Sequence, residues 1–197
     1  DAGLLLEYVN FVANGIAKEY PDVRIRTFAY CSTDKAPQNI RPAKNVLIRW
    51  VDVYTKSDCY RPLSHPVNCK RKELLDEWSR TGIPLIIWDY WNMDFIGSKH
   101  CFEPPRVETV MSAIAPDIRY FKKIGVKGLF VEAETFLHRN PQNFYDLEAW
   151  LLFQLMVDSS RNEKQLVDPF MEGQYGPAAP YMNRFLKLIQ DGMAGDP

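Results

Sequence analysis

Thr81-Gly82-Ile83-Pro84-Leu85-Ile86-Ile87-Trp88-Asp89-Tyr90-Trp91 is the stretch whose reading decides the fold. A continuous apolar run entered through Gly82 and Pro84 predicts a strand buried on both faces, the mark of a parallel sheet. Within one residue its far end turns to Trp88, Asp89, Tyr90 and Trp91. In parallel α/β folds that end is where ligands sit. A second stretch, Val126-Lys127-Gly128-Leu129-Phe130-Val131-Glu132-Ala133-Glu134-Thr135, repeats the design with two carboxylates at its exit. Two strands are therefore expected to deliver acids and aromatics to one rim.

Working outward, the apolar spacing of Leu5, Tyr8, Val9, Val12, Ile16 and Ala17 predicts a helix from Leu4 to Tyr20, stopped by Pro21. Strands are expected at Arg24–Tyr30 and Val46–Tyr54, joined by an irregular loop because Pro37 and Pro42 argue against a crossover helix. A helix from about Asn68 to Arg80 leads into the strand Leu85–Trp91. Val107 to Ile124 reads as a further crossover helix that Pro116 should kink or divide and Gly125 should end. After the strand Gly128–Glu134, helices are expected at Phe144–Val157, Glu163–Tyr175 and Pro177–Gln190.

Four strands with crossovers and generous loops after them look like part of a (β/α)8 TIM-type barrel, which typically takes about 250 residues. At 197 residues the chain is short for a whole barrel, and it opens on a helix, as a second half would. The expected architecture is α/β, the second half of a barrel with four parallel strands plus C-terminal helices. It is expected to form a single domain over residues 1–197. A complete small open sheet is the alternative.

A hydrophobic content of 46% with 13% aromatics is that of a globular chain. A net charge of -1, with Lys and Arg dispersed, leaves no electrostatic footprint for nucleic acid or an anionic membrane. No apolar run approaches the roughly 20 residues of a bilayer span, and the N-terminal residues lack the basic start of a signal peptide. Cys59 and Cys69 flank a short loop-like segment, and a disulfide between them would clamp it and place the protein in a periplasmic or extracellular compartment. Cys59, His65 and Cys69 are also acceptable zinc ligands by type, although no Cys-x-x-Cys pair supports a metal, and free thiols are the third reading.

Several stretches in order along the chain resemble domain-of-unknown-function family 4838, part of which is classed as glycoside hydrolase family 163. They are Tyr8-Val9-Asn10-Phe11-Val12-Ala13, Tyr20-Pro21-Asp22, Thr27-Phe28-Ala29-Tyr30, Asn45-Val46, Cys59, His65-Pro66, Trp78, Trp88-Asp89-Tyr90, Ile124-Gly125-Val126-Lys127-Gly128-Leu129-Phe130 and Gln174-Tyr175-Gly176-Pro177-Ala178-Ala179. The resemblance covers the C-terminal half of that family's glycosidase-like barrel. It implies hydrolysis of a complex, GlcNAc-containing glycan in the manner of an endo-β-N-acetylglucosaminidase, no cofactor, and an N-terminal half of the barrel as partner.

Glycosidases generally need two carboxyl groups across the scissile bond, or one acid assisted by the substrate's acetamido group, with aromatic platforms for the sugar faces. Alternation puts Gly128, Phe130, Glu132 and Glu134 on one face of their strand, so Glu132 is the candidate general acid and Glu134 a hydroxyl-binding group. Salt bridges to strand-end cations are the plainer reading of both. Asp89 and Trp91 share a face opposite Trp88 and Tyr90, and parity favours Asp89 and Trp91 for the site, with Trp88 and Tyr90 against the crossover helices. Asp52 and Tyr54, sharing a face with Val46, Ile48 and Trp50, are further substrate-contact candidates, with loop anchoring as the alternative, and Tyr30 fits the same rim. The competing functional class is a carbohydrate-binding or scaffold barrel without catalysis.

Overall fold

The computed structural model describes residues 2–52, 61–90, 107–132 and 144–193. Four strands, β1 (Ile25–Ala29), β2 (Val46–Asp52), β3 (Leu85–Tyr90) and β4 (Gly128–Glu132), form one parallel sheet in the order β1-β2-β3-β4. The register pairs Ala29 with Trp50, Trp50 with Ile87 and Ile87 with Leu129, so each row of side chains runs straight across the sheet. Consecutive parallel neighbours, with an α-helix in the connection after the second strand and another after the third, are compatible with a segment of a β/α barrel. The α/β class and the four parallel strands are as the sequence predicts.

The helix α1 (Ala2–Ile16) buries Ala2, Leu6, Val9 and Ala13 at helical spacing. It ends four residues before the expected Tyr20, because Lys18 and Glu19 donate to Gly15 and Ile16 in tighter three-residue bonds. The irregular β1–β2 connection is tied to this helix by two asparagines. Asn10 donates to the Arg41 carbonyl at 2.8 Å and accepts from the Ala43 N–H at 2.7 Å, while Asn45 donates to the Ala13 carbonyl at 2.8 Å. Together with α2 (Cys69–Ser79), whose Leu75 is fully buried, α1 covers one face of the sheet, and Ala29, Val46, Ile48, Trp50 and Ile87 are all fully buried beneath them.

A second core lies among α3 (Val107–Lys123), α4 (Tyr145–Val157), α5 (Glu163–Tyr175) and α6 (Ala179–Met193). Leu129 borders both cores and Val131 the second, so β4 joins the two. Pro116 does not divide α3. Its ring removes one intrahelical donor, but Ile114, Ala115, Ile118 and Phe121 around it are all buried, and that packing holds one continuous helix. Gly125, at φ +82°, closes α3 with the double bond pattern of a left-handed cap: Val126 N–H donates to Phe121 and Gly125 N–H to Lys122. Among the described residues no helix is long and apolar enough to cross a membrane.

Candidate functional site

Straight rows of side chains across a parallel sheet sort its residues into two faces. On the face away from α1 and α2, one row carries Phe28, Arg49, Ile86 and Gly128, the next Val51, Trp88 and Phe130, and the last Tyr90 and Glu132. Of these, Phe28, Arg49, Trp88, Tyr90, Phe130 and Glu132 belong to neither core, and Phe28 and Phe130 are 40% and 43% exposed. An open, ring-bearing face on strands that are buried on their other side is the unusual feature of this molecule.

The rings form one cluster around Trp88. Tyr90 stacks on it at 5.4 Å between centroids, Phe130 meets it edge-on at 5.6 Å, and Phe28 lies tilted at 5.8 Å. The Arg49 guanidinium sits over three of these rings, 5.2 Å from Trp88, 5.3 Å from Phe130 and 5.9 Å from Phe28. Burial, and secondarily the neighbouring Arg26 charge, pull its pKa below the usual guanidinium value. At the C-terminal end of the face, the Trp88 Nε1–H donates to Glu132 Oε2 at 2.7 Å. An indole N–H can only donate, so this contact suits Glu132 as an acceptor and fixes its head beside the Trp88–Tyr90 stack.

The expected partners of Glu132 are distributed otherwise. Alternation within β3 is as anticipated, but it is Trp88 and Tyr90 that share the Glu132 face, whereas Asp89 lies with Asp52 and Val131 on the helical face. The physical reason is register. Glu132 pairs with Tyr90 and not with Asp89, so parity on the two strands is offset from the sequence expectation. Asp52 is 7% exposed, on the same face as fully buried Trp50. There Arg71 holds the end of β2: its Nη2 donates to the Val51 carbonyl at 2.7 Å, its Nη1 meets Asp34 at 3.1 Å, its Nε lies 3.8 Å from Asp52, and its guanidinium covers the Trp50 ring at 4.6 Å. The geometry is that of loop anchoring. Asp52, Asp89 and Glu132 therefore do not converge on one hollow.

Tyr30 directly follows β1, is 41% exposed, and leads into a short 3-10 turn where the Thr33 hydroxyl accepts from the Tyr30 N–H at 3.1 Å. The Cys31 thiol beside it, and then burial, raise the phenol's pKa. Tyr54, Trp91 and Glu134 lie outside the described residues, as does Cys59. Cys69 opens α2 as an exposed thiol, and the clamp expected between it and Cys59 lies outside the described residues at its Cys59 end. His65 is used locally, its Nδ1 accepting from the Val67 N–H at 3.3 Å, and among the described residues no group of three or more His, Cys, Asp or Glu could hold a metal ion.

Two residues passed over by the sequence reading matter to the geometry. Arg49 is a cation at the centre of an aromatic face, flagged in the sequence only by its position between Ile48 and Trp50 in a strand of apolar residues. Asp117 of α3 is mostly buried beside the end of β2, where its Oδ1 accepts from the Leu63 N–H at 2.8 Å. Burial above all, with a contribution from the Asp52 charge, pushes its carboxyl up to about 8, against the opposing pull of that N–H. One acid in a helix with no nearby sequence partner gave no signal of this.

A family model described as Domain of unknown function (DUF4838) matches residues 1–187. Neither a curated protein nor a solved structure matches the chain.

Proposed function

This chain belongs to the DUF4838 family, and on that premise we propose that its open sheet face is the carbohydrate-contacting surface of one half of a glycosidase-like barrel. The observation that carries the reading is the Trp88–Tyr90 stack with Glu132 hydrogen-bonded to its edge, at the C-terminal ends of parallel strands. Flat rings present apolar faces that complement the C–H faces of a pyranose, and a fixed carboxylate beside them can bond a hydroxyl or act on the scissile bond. Among the described residues Glu132 is the one acid on that face. Glycoside hydrolysis needs a second carboxyl group or the substrate's own acetamido group, and the proposal puts that function on strands of the parent polypeptide that precede residue 1 and close the open face. In that arrangement Glu132 acts on the GlcNAc ring, and Phe28, Arg49 and Phe130 form the barrel interior beneath it.

The single acid also favours a second reading, a barrel that binds sugar without cleaving it. Titrating the chain with a chitobiose-containing glycan, and assaying hydrolysis by the parent polypeptide, separates the two. The enzyme reading expects weak binding and negligible turnover by residues 1–197, and hydrolysis by the parent that Glu132→Gln reduces by at least about 100-fold, as for the loss of an acid–base group. Parent hydrolysis indifferent to Glu132→Gln removes Glu132 from the chemistry. Absence of glycan binding by both proteins removes the carbohydrate reading altogether.

A further inference from the structure

The four strands place three charged side chains on the open face of the sheet, and they do not balance. Arg26, exposed on β1, and Arg49, half-buried on β2, lie on adjacent strands in neighbouring rows, while Glu132 is held at the far end of β4 by the Trp88 indole. Gly128, in the Arg49 row, is separated from Glu132 by roughly 13 Å of strand rise. Among the described residues neither arginine forms an ion pair, and the Arg49 Nε is buried without a hydrogen-bond partner. Phe28, Trp88 and Phe130 lie against the Arg49 guanidinium, but ring faces leave its N–H donors unanswered. Burial and the Arg26 charge both lower its pKa, the mark of a cation short of a counter-charge. Covering this face with apolar side chains alone would enclose that charge without a counter-ion, a costly arrangement in a protein interior. Backbone carbonyls of added strands would not answer it, because they are spent on the sheet's own ladder.

Resting on the closure of this face proposed above, we infer that the covering strands of the parent polypeptide carry an acidic side chain opposite Arg49, which forms a buried, charge-assisted ion pair with its guanidinium. This acid is structural and separate from any catalytic partner of Glu132, since Arg49 lies among the rings, below the C-terminal rim. Arg26 adds to the same field, so the face favours an acidic occupant over a neutral or cationic one. A second copy of the chain would bring the same excess of positive charge to the contact.

The experiment is made on the parent polypeptide, by thermal melts and hydrogen exchange. Arg49→Met keeps a long apolar side chain against the rings and removes the charge, whereas Arg49→Lys keeps the charge. Arg49→Met should lower the melting temperature by at least about 5 °C, because it strands a buried carboxylate, and Arg49→Lys by less than half as much. Hydrogen exchange reads the closure itself: with its free side covered, β1 should exchange within about tenfold of β2. Arg49→Met as stable as the unaltered parent, or Arg49→Lys as damaging as Arg49→Met, with β1 slow to exchange, overturns the acid and leaves the closure standing. If Arg49→Met does not fold, a folded Arg49→Lys supports the ion pair and an unfolded one overturns it. Fast exchange at β1 overturns the closure and this inference together. Protection that is lost when a dimer is diluted to monomer would do the same, by making a second copy the occupant.

Discussion

The two faces of the sheet are made by alternate residues of the same four strands, yet they stand in opposite environments. On the helical face Val46, Ile48, Trp50 and Ile87 have no exposed surface, and the cation over Trp50, Arg71, is anchored to Asp34 and the Val51 carbonyl. On the open face Phe28 and Phe130 are about two-fifths exposed, and the cation, Arg49, rests on rings. Both faces are aromatic and apolar in composition. What separates them is whether something covers them, and a hydrophobic residue is stabilising only to the extent that folding removes it from water. The helical face therefore holds the fold together, and the open face is available for recognition.

Trp50 and Trp88, one on each face, test that division most strongly. Trp50→Ala should cost about 4 kcal/mol, the range for emptying a large buried aromatic site, and should also free Arg71 from its ring platform. Urea denaturation of the variant is the measurement, and a cost as small as that of an exposed position would break the comparison. Next in size is Asp117→Asn, on the buried side. The carboxyl keeps its proton to about pH 8 in the folded chain, whereas an unfolded aspartate loses it near 3.9. Between those values the folded state binds more protons, so stability falls as pH rises from about 4 to about 8, and the cost is complete above 8. Asparagine retains the acceptor for Leu63 without the titration, so it should stabilise the protein by about 2 kcal/mol at pH 8.5 and leave it nearly unchanged at pH 4. Thermal melts at the two pH values read the difference. An Asp117→Asn effect of equal size at both would mean that the carboxyl is not held protonated.

Element positions were largely legible in the sequence because each rests on local chemistry. The run Leu85 to Tyr90 is a strand by its apolar continuity, and α3 ends where Gly125 supplies a left-handed cap. The facing of side chains was not legible across strands. Period-two alternation correctly separates Asp89 from Trp88 and Tyr90, but which of the two sets meets the helices depends on the pairing of Tyr90 with Glu132, a contact across 42 residues of chain. Composition could not decide it either, since Ile86-Trp88-Tyr90 and Leu85-Ile87-Asp89 are similar in apolar content. Asp52 was drawn toward the site by its place at a strand exit. Arg71, a helix residue 19 positions later, makes it an anchor.

The smaller effects fall on the open face. Trp88→Ala removes ring contacts with Tyr90, Phe130 and Phe28 as well as the platform of Arg49, but it leaves no closed cavity, so a stability loss of about 1 kcal/mol is expected. The same substitution should eliminate glycan binding, because the stack and the donor that fixes Glu132 disappear together. Glu132→Gln is the finer instrument. It keeps the acceptor oxygen for the indole and the shape of the head, so denaturation should move by less than about 0.5 kcal/mol, the usual scale for a surface change. If the face only holds sugar, the neutral amide should bond hydroxyls nearly as well, and affinity should fall by no more than a few-fold. If Glu132 serves as an acid, base or nucleophile, affinity should be retained while hydrolysis by the parent polypeptide falls steeply, since the amide cannot exchange a proton or form the ester. A large stability loss in Glu132→Gln would instead make the Trp88–Glu132 contact part of the fold's support and erase the division between the two faces.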